Sequence, residues 1–268
     1  MAKKDIKVQS SDVPDVNSTP ASETRDTKLL VPLGRGTRGK TFFARWAIEQ
    51  AFGDGNAPVV ADIDRTNQTL ARFFDGVLTP ASADDADVVE FIAGVIEAQA
   101  VRRFDLVLDF GAGDLILKRL AKDMNLVKWL PTLGIRPVAI HVLGPNSDDL
   151  AYLEAMEEGG LFAPEATVVV LNEGVVPAGR SAHSAFAATI NEHPSLAKTL
   201  ERGAKLAVMP RLEPAAEIDA QGISFLDTAE NRGSRKGTLP LGLWRAQQVA
   251  LWRRHMAEAF APVRHWLP

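Results

Sequence analysis

The chain has 268 residues, with 30 basic against 34 acidic side chains and no cysteine. That length can bury a substantial core, and the missing thiols exclude disulfides, Cys-ligated zinc, iron–sulfur clusters and a thiol nucleophile. The net charge of −4 is unevenly spread: residues 233–268 carry six basic side chains and one acid, leaving 24 basic and 33 acidic groups in the rest.

A basic tail on an acidic body points to an anionic partner. The longest apolar runs fall far short of the ~18 residues that a membrane span needs. The N-terminus has no apolar signal core, so the chain reads as a cytoplasmic protein.

In chain order, residues 1–27 are rich in Ser, Asp, Thr, Lys and Pro with isolated apolar residues. Such a segment cannot offset its ordering entropy by burial and reads as a disordered leader. Residues 28–268 read as one domain. Val/Ile/Leu-rich runs at Leu29–Leu33, Pro58–Asp62, Leu106–Phe110, Pro137–Leu143, Thr167–Asn172 and Lys205–Met209 suit strands buried on both faces. Pro32 is awkward in the first of them, because it removes a ladder donor. Helical patterns lie between the runs, at Lys40–Phe52, Val88–Arg102, Asp114–Trp129 and Asp148–Glu158, with a broken one across Ala182–Arg202. The alternation predicts an α/β fold, a mostly parallel central sheet flanked by helices on both faces. A basic loop over 229–240 leads into a last helix at about 241–261.

The most specific signal is Gly34-Arg35-Gly36-Thr37-Arg38-Gly39-Lys40-Thr41, which fits G-x-x-x-x-G-K-[ST] at every fixed position. It follows an apolar strand and precedes an apolar-periodic helix, the context that the chemistry requires. Glycines let backbone N–H groups curl toward phosphate oxygens, and the helix N-terminus adds positive partial charge. In such a loop Lys40 reaches the β and γ phosphates and the Thr41 hydroxyl ligates Mg²⁺. A second Mg²⁺ ligand should end an apolar strand, and Asp109 does so after Leu106-Val107-Leu108. Gly113, in the turn beyond it, offers an N–H to the γ-phosphate.

These residues resemble the deviant-Walker-A ATPases of the ParA/MinD family, a SIMIBI-like branch of the P-loop NTPases. Arg35 falls where that family has a signature Lys reaching across an ATP-sandwich dimer, and Thr37 replaces its second loop glycine. Asp62-Ile63-Asp64 is similar to the family's D-x-D motif. The resemblance implies that Asp62 lies near the Mg²⁺ shell and that Asp64 orients the hydrolytic water, although two such acids also commonly cap a loop. Asp109-Phe110-Gly111-Ala112-Gly113 resembles the family's second switch, with Gly111 where Pro is usual. Asn172 resembles the residue that recognises adenine, and Pro210 the one beside the base; an Asn after a strand is also a common turn residue.

The resemblance therefore implies an ATPase with ATP and Mg²⁺ as cofactors, and a nucleotide-dependent homodimer. It also implies an adaptor or stimulating protein and a role in plasmid or DNA partition, maintenance or transfer. Non-specific DNA binding would use Arg235, Lys236, Arg245, Arg253 and Arg254 on phosphates. The alternatives are a MinD-like membrane-associated switch and an ATP-dependent ligase or synthase on the same fold; five scattered histidines show no metal spacing. On a helical wheel, Leu241, Trp244, Val249, Trp252, Met256 and Phe260 span about 160°, with Arg245 inside that arc, Arg253 at its edge and Arg254 away from it. A helix of this kind most commonly packs its apolar face on the protein body, and DNA contact ranks ahead of membrane insertion.

Overall fold

The six apolar runs form six strands: β1 (Thr27–Leu33), β2 (Val59–Asp62), β3 (Leu106–Asp109), β4 (Ile135–Leu143), β5 (Ala166–Asn172) and β6 (Lys205–Met209). In this computed structural model, which describes residues 26–65, 67–111, 115–157, 159–187, 193–234 and 237–268, they make one sheet in the order β2-β3-β1-β4-β5-β6. Every pairing is parallel. Alternation at period two sorts the strand residues onto two faces. Leu30, Val107, Val138, Ile140, Val168 and Val170 join one core, and Leu29, Val31, Leu106, Leu108 and Ala139 the other.

The intervening helices are α1 (Lys40–Gly53), α2 (Asp85–Arg102), α3 (Ile116–Met124), α4 (Leu126–Thr132), α5 (Ser147–Glu157), α6 (Ala182–Ala187), α7 (Pro194–Glu201), α8 (Ala215–Gln221), α9 (Phe225–Ala229) and α10 (Leu243–Phe260). Residues of α1, α9 and α10 pack on the Leu30 face. Those of α2, α3 and α4 pack on the opposite face, and α5, α6 and α7 fill a third cluster beneath β4 and β5. The expected α/β architecture is therefore present, with helices on both sides of a fully parallel sheet.

Four details differ from the sequence expectation. Thr27 is buried in β1, so the sheet begins one residue before the expected domain boundary; residues 1–25 lie outside the described residues, as do Gly113, Arg235 and Lys236. The helix expected over 114–129 breaks at Asn125, whose φ of 48° is left-handed. Helices α8 and α9 fill a stretch with no expected element. Trp244 points outward at 76% exposure, whereas Val249, Trp252, Met256 and Phe260 are buried. Pro32 stays within β1 because the β1–β3 register ends at Leu30, and β4 carries the pairing beyond it. Among the described residues no helix is long and apolar enough to cross a membrane.

The last helix packs on the body, the plainest of its readings. Phe260 lies 4.9 Å from the Trp46 ring and Trp252 lies 4.8 Å from that of Phe225. Arg245 pairs with Glu217 of α8. Arg253 bonds Gln50 of α1 at 3.2 Å, and Arg254 sits 3.9 Å from Glu258 on its own helix. The three described candidate arginines thus diverge rather than form one stripe.

Candidate nucleotide-binding site

The loop joining β1 to α1 is shaped by two glycines. Gly34 has φ +136°, and a Cβ there would lie 2.5 Å from the Val142 carbonyl oxygen. Gly39, at φ +95°, would bring a Cβ within 2.6 Å of Asn172 Nδ2. Thr37 occupies left-handed space at φ 62°, although its β-branch makes that conformation costly. Gly39 is the N-cap of α1 and no side chain caps that terminus. The first-turn N–H groups of a 14-residue helix therefore face the loop without a side-chain acceptor, the arrangement that binds anions.

Lys40, 8% exposed, crosses back toward the Arg35 carbonyl oxygen, with its Nζ at 3.4 Å. Burial lowers the pKa of its ammonium, opposed by the charges of Asp109 and Asp64. Asp109 ends β3 almost wholly buried. The Thr41 hydroxyl donates to its Oδ2 at 2.7 Å, while its Oδ1 is buried without a hydrogen-bond partner. Burial pushes this carboxyl up to about 7, with the charges of Asp62 and Asp64 adding to the effect; the Thr41 hydroxyl and Lys40 oppose it. A buried acceptor without a donor, next to a hydroxyl and an ammonium, fits a hard divalent cation. Thr41 and Asp109 are the residues that would hold it.

Asp62 lies beside Asp109 in the β2–β3 register, and each of its oxygens takes one backbone N–H, which leaves a lone pair on each. Oδ1 accepts from the Asp64 N–H at 3.1 Å and Oδ2 from the Leu70 N–H at 3.0 Å. Burial raises its pKa against those two bonds. As placed, Asp62 organises the turn that carries Asp64. The Asp64 Oδ1 accepts from Asn67 N at 3.0 Å, and a Cβ on Gly111 would lie 3.1 Å from the same oxygen, so the glycine at the usual Pro position leaves this carboxylate its space.

On the opposite side, Asn172 braces the loop. Its Nδ2 donates to the Arg38 carbonyl at 2.8 Å, and its Oδ1 accepts from the Gly174 N–H at 2.8 Å. Base recognition would draw on the second amide N–H and the second oxygen lone pair. Pro210 lies at the end of β6, where Trp252 Nε1 of α10 donates to its carbonyl at 2.9 Å. Arg35 reaches Asp148 of its own chain at 3.1 Å.

Sequence reasoning missed Asp149, which bonds Arg38 at 2.8 Å. It also missed the Arg45–Glu49 pair of α1. Glu49 accepts from the Phe225 and Leu226 N–H groups at the start of α9, while Arg45 pairs with Asp219 and lies 3.3 Å from the Phe73 ring centroid. An i, i+4 acid–base pair usually marks a solvated helix face, so only tertiary placement reveals this one as a buried bracket between the loop's helix and α8–α9.

Asp109 makes a testable contribution to stability. Its native pKa lies above that of the free carboxyl, so the native state holds the proton longer than the unfolded chain. The stabilisation is complete below pH 4 and lost as pH rises through about 7. Without divalent ions, Asp109→Asn is expected to gain on the wild type by about 1 kcal/mol per pH unit between pH 5 and 7. Urea unfolding across that range checks it, and parallel curves for the two proteins would refute it.

No family model matches the chain, and no curated protein does. Among solved structures, the MinD cell division protein of Aquifex aeolicus is 10% identical with a TM-score of 0.48, over 87% of this chain and 97% of that one. Chloroplast FtsY from Physcomitrella patens is 12% identical with a TM-score of 0.42, over 70% and 59%. The signal recognition particle receptor FtsY of Elizabethkingia anophelis, in complex with GDP, is 13% identical with a TM-score of 0.41, over 73% and 60%. The chain thus spans about three fifths of the length of these two FtsY structures. What identifies the site is its own construction: a glycine-shaped loop after β1, a buried Lys40 at an uncapped helix start, and Asp109 with an unpartnered oxygen beside Thr41.

Proposed function

We propose that the chain is a Mg²⁺-dependent ATP-hydrolysing switch that dimerises on nucleotide and acts on DNA in partition, maintenance or transfer. The observation that carries the reading is the Asp109 Oδ1, buried and unpartnered within the phosphate loop's reach. The loop N–H groups and Lys40 would take the charge developing on the γ-phosphate. Asp64, held beside Gly111, would orient the attacking water. Thr41 and Asp109 would hold Mg²⁺, which would supply neutralisation of phosphate charge. Asn172 and Pro210 would flank the adenine, and Arg35 would face the nucleotide of a second copy once released from Asp148.

DNA is the proposed partner because residues 233–268 carry five more positive than negative groups, and none of the described candidates lines the phosphate loop. An adaptor that accelerates turnover completes the cycle. The test titrates the full chain with ATP and GTP, with and without Mg²⁺, and then measures DNA retention in each state across salt. Tighter binding of Mg·ATP, with DNA retention only in that state and a steep salt slope, is expected. Preference for GTP overturns the adenine assignment, and DNA retention indifferent to nucleotide overturns the switch. Liposome sedimentation without DNA affinity would instead favour a membrane-associated positioning ATPase. Asp64→Ala is expected to lower turnover by about 100-fold, a typical contribution for a group of this kind, while leaving Mg·ATP affinity within a few-fold. Normal turnover in that variant removes Asp64 from the water-positioning role.

A further inference from the structure

The loop carries two arginines that its fixed positions do not require, and both end on one acidic pair. Arg38 Nε donates to Asp149 Oδ1 at 2.8 Å, and Asp149 Oδ2 accepts from the Gly144 N–H at 3.0 Å. The Asp149 side chain is fully buried and that of Arg38 is 17% exposed. Because Asn172 grips the Arg38 carbonyl, this residue is fixed at both ends, immediately before Gly39 and Lys40. Gly144 leaves the arrangement its space: a Cβ there would lie 2.9 Å from Asp149 Oδ2 and 3.1 Å from Arg38 Cδ. Arg35 is held differently. Its 45% exposed side chain donates at 3.1 Å to Asp148, itself 76% exposed, and remains 3.8 Å from Asp149.

We propose that these adjacent carboxylates act on nucleotide binding in opposite senses. Asp149 is a positioning residue that fixes the loop apex through Arg38, and Asp148 is an internal anion that competes with nucleotide phosphate for Arg35. The proposal rests on the nucleotide-binding reading above. A buried, hydrogen-bonded pair does not surrender its arginine, because separation leaves an unpaired charge away from water. An exposed pair is weak and screened by salt, whereas phosphate offers arginine a bidentate, charge-assisted contact. Arg35 is therefore the arginine that changes partner and Arg38 the one that stays.

The test measures affinity for a fluorescent ATP analogue with Mg²⁺ in the full chain. Asp148→Asn is expected to tighten binding about two- to fivefold at low salt, with the gain lost at high salt and absent in an Arg35→Gln background. Asp149→Asn is expected to weaken binding about tenfold. Arg38→Gln should do the same, and the double variant should be no worse than either single one, as for partners in one contact. Shifts of the same sign at 148 and 149, or additive losses at 38 and 149, overturn the proposal. Should Asp149→Asn not fold, Arg38→Gln carries its half of the test. A wild type that binds no nucleotide sinks the functional reading alone. Amide exchange over residues 34–41 of the free proteins then decides this one: it should quicken in Asp149→Asn and Arg38→Gln and stay unchanged in Asp148→Asn, and any other pattern overturns it.

Discussion

Lys40→Ala is expected to raise the dissociation constant for Mg·ATP by at least about 100-fold, the scale of one strong charge-assisted contact to phosphate. The ammonium is the most buried of the loop's three cations, 8% exposed and already partly desolvated, which lowers its pKa against the pull of Asp109 and Asp64. A ligand phosphate therefore meets a charge that water screens little. Its removal has a second effect: Asp109 and Asp64 then face the incoming phosphates without the counter-charge that offsets them. Lys40→Arg is not expected to restore binding, because a planar guanidinium does not fit the space of a compact ammonium. Titration with a fluorescent nucleotide reads the loss, and unchanged thermal unfolding of the free variant shows that the fold is intact. Binding within threefold of the wild type would mean that the loop does not cradle phosphate.

The parts of this site visible in the sequence are those whose signal is local. The glycines, Lys40 and Thr41 stand within one octet, and Asp109 closes an apolar run whose burial makes it a strand; no distant residue is needed to recognise either. The strands were legible for the same reason, since Val-rich runs buried on both faces have few alternatives. Contacts that join remote segments were not legible. Arg38 meets Asp149 across 111 positions, and Glu49 reaches the Phe225 N–H across 176, with nothing in the intervening pattern to pair them. Asp62 shows what a local motif leaves out: its position in D-x-D implies a place near the Mg²⁺ shell, but not that the backbone N–H groups of Asp64 and Leu70 each bond one of its oxygens. Trp244 fails for a geometric reason. The wheel gave every apolar residue equal weight, but the cores receiving α10 lie behind Val249, Trp252, Met256 and Phe260, leaving the first turn to project beyond them.

His141→Leu is expected to abolish an acid-side loss of stability that reaches about 4 kcal/mol in the wild type near pH 3. The imidazole sits toward the C-terminal end of β4, fully buried, and neither ring nitrogen has a hydrogen-bond partner. Burial, with the nearby positive charge of Arg202 adding to it, holds its pKa down at about 3. Arg202 is itself committed to Glu157, the Pro164 carbonyl and Thr167, so it does not swing away to make room for a second cation. The native state thus keeps His141 neutral where the unfolded chain protonates it. Its stabilisation is full above about pH 6.5 and is lost as pH falls toward 3. Asp109 bends the curve the other way over part of that range, because its native pKa is raised; the two slopes offset each other in the wild type, so the informative quantity is the difference between variant and wild type at each pH. Leucine is apolar and of similar size, and it removes two buried nitrogens that lack partners, so His141→Leu should match or exceed wild-type stability at pH 8. Its advantage should then grow by about 1 kcal/mol for each pH unit below 6. Denaturant unfolding at pH 8, 6, 5 and 4 reads that divergence, and a constant offset between the two proteins would show that the imidazole already finds a proton acceptor or a solvent path in the native state.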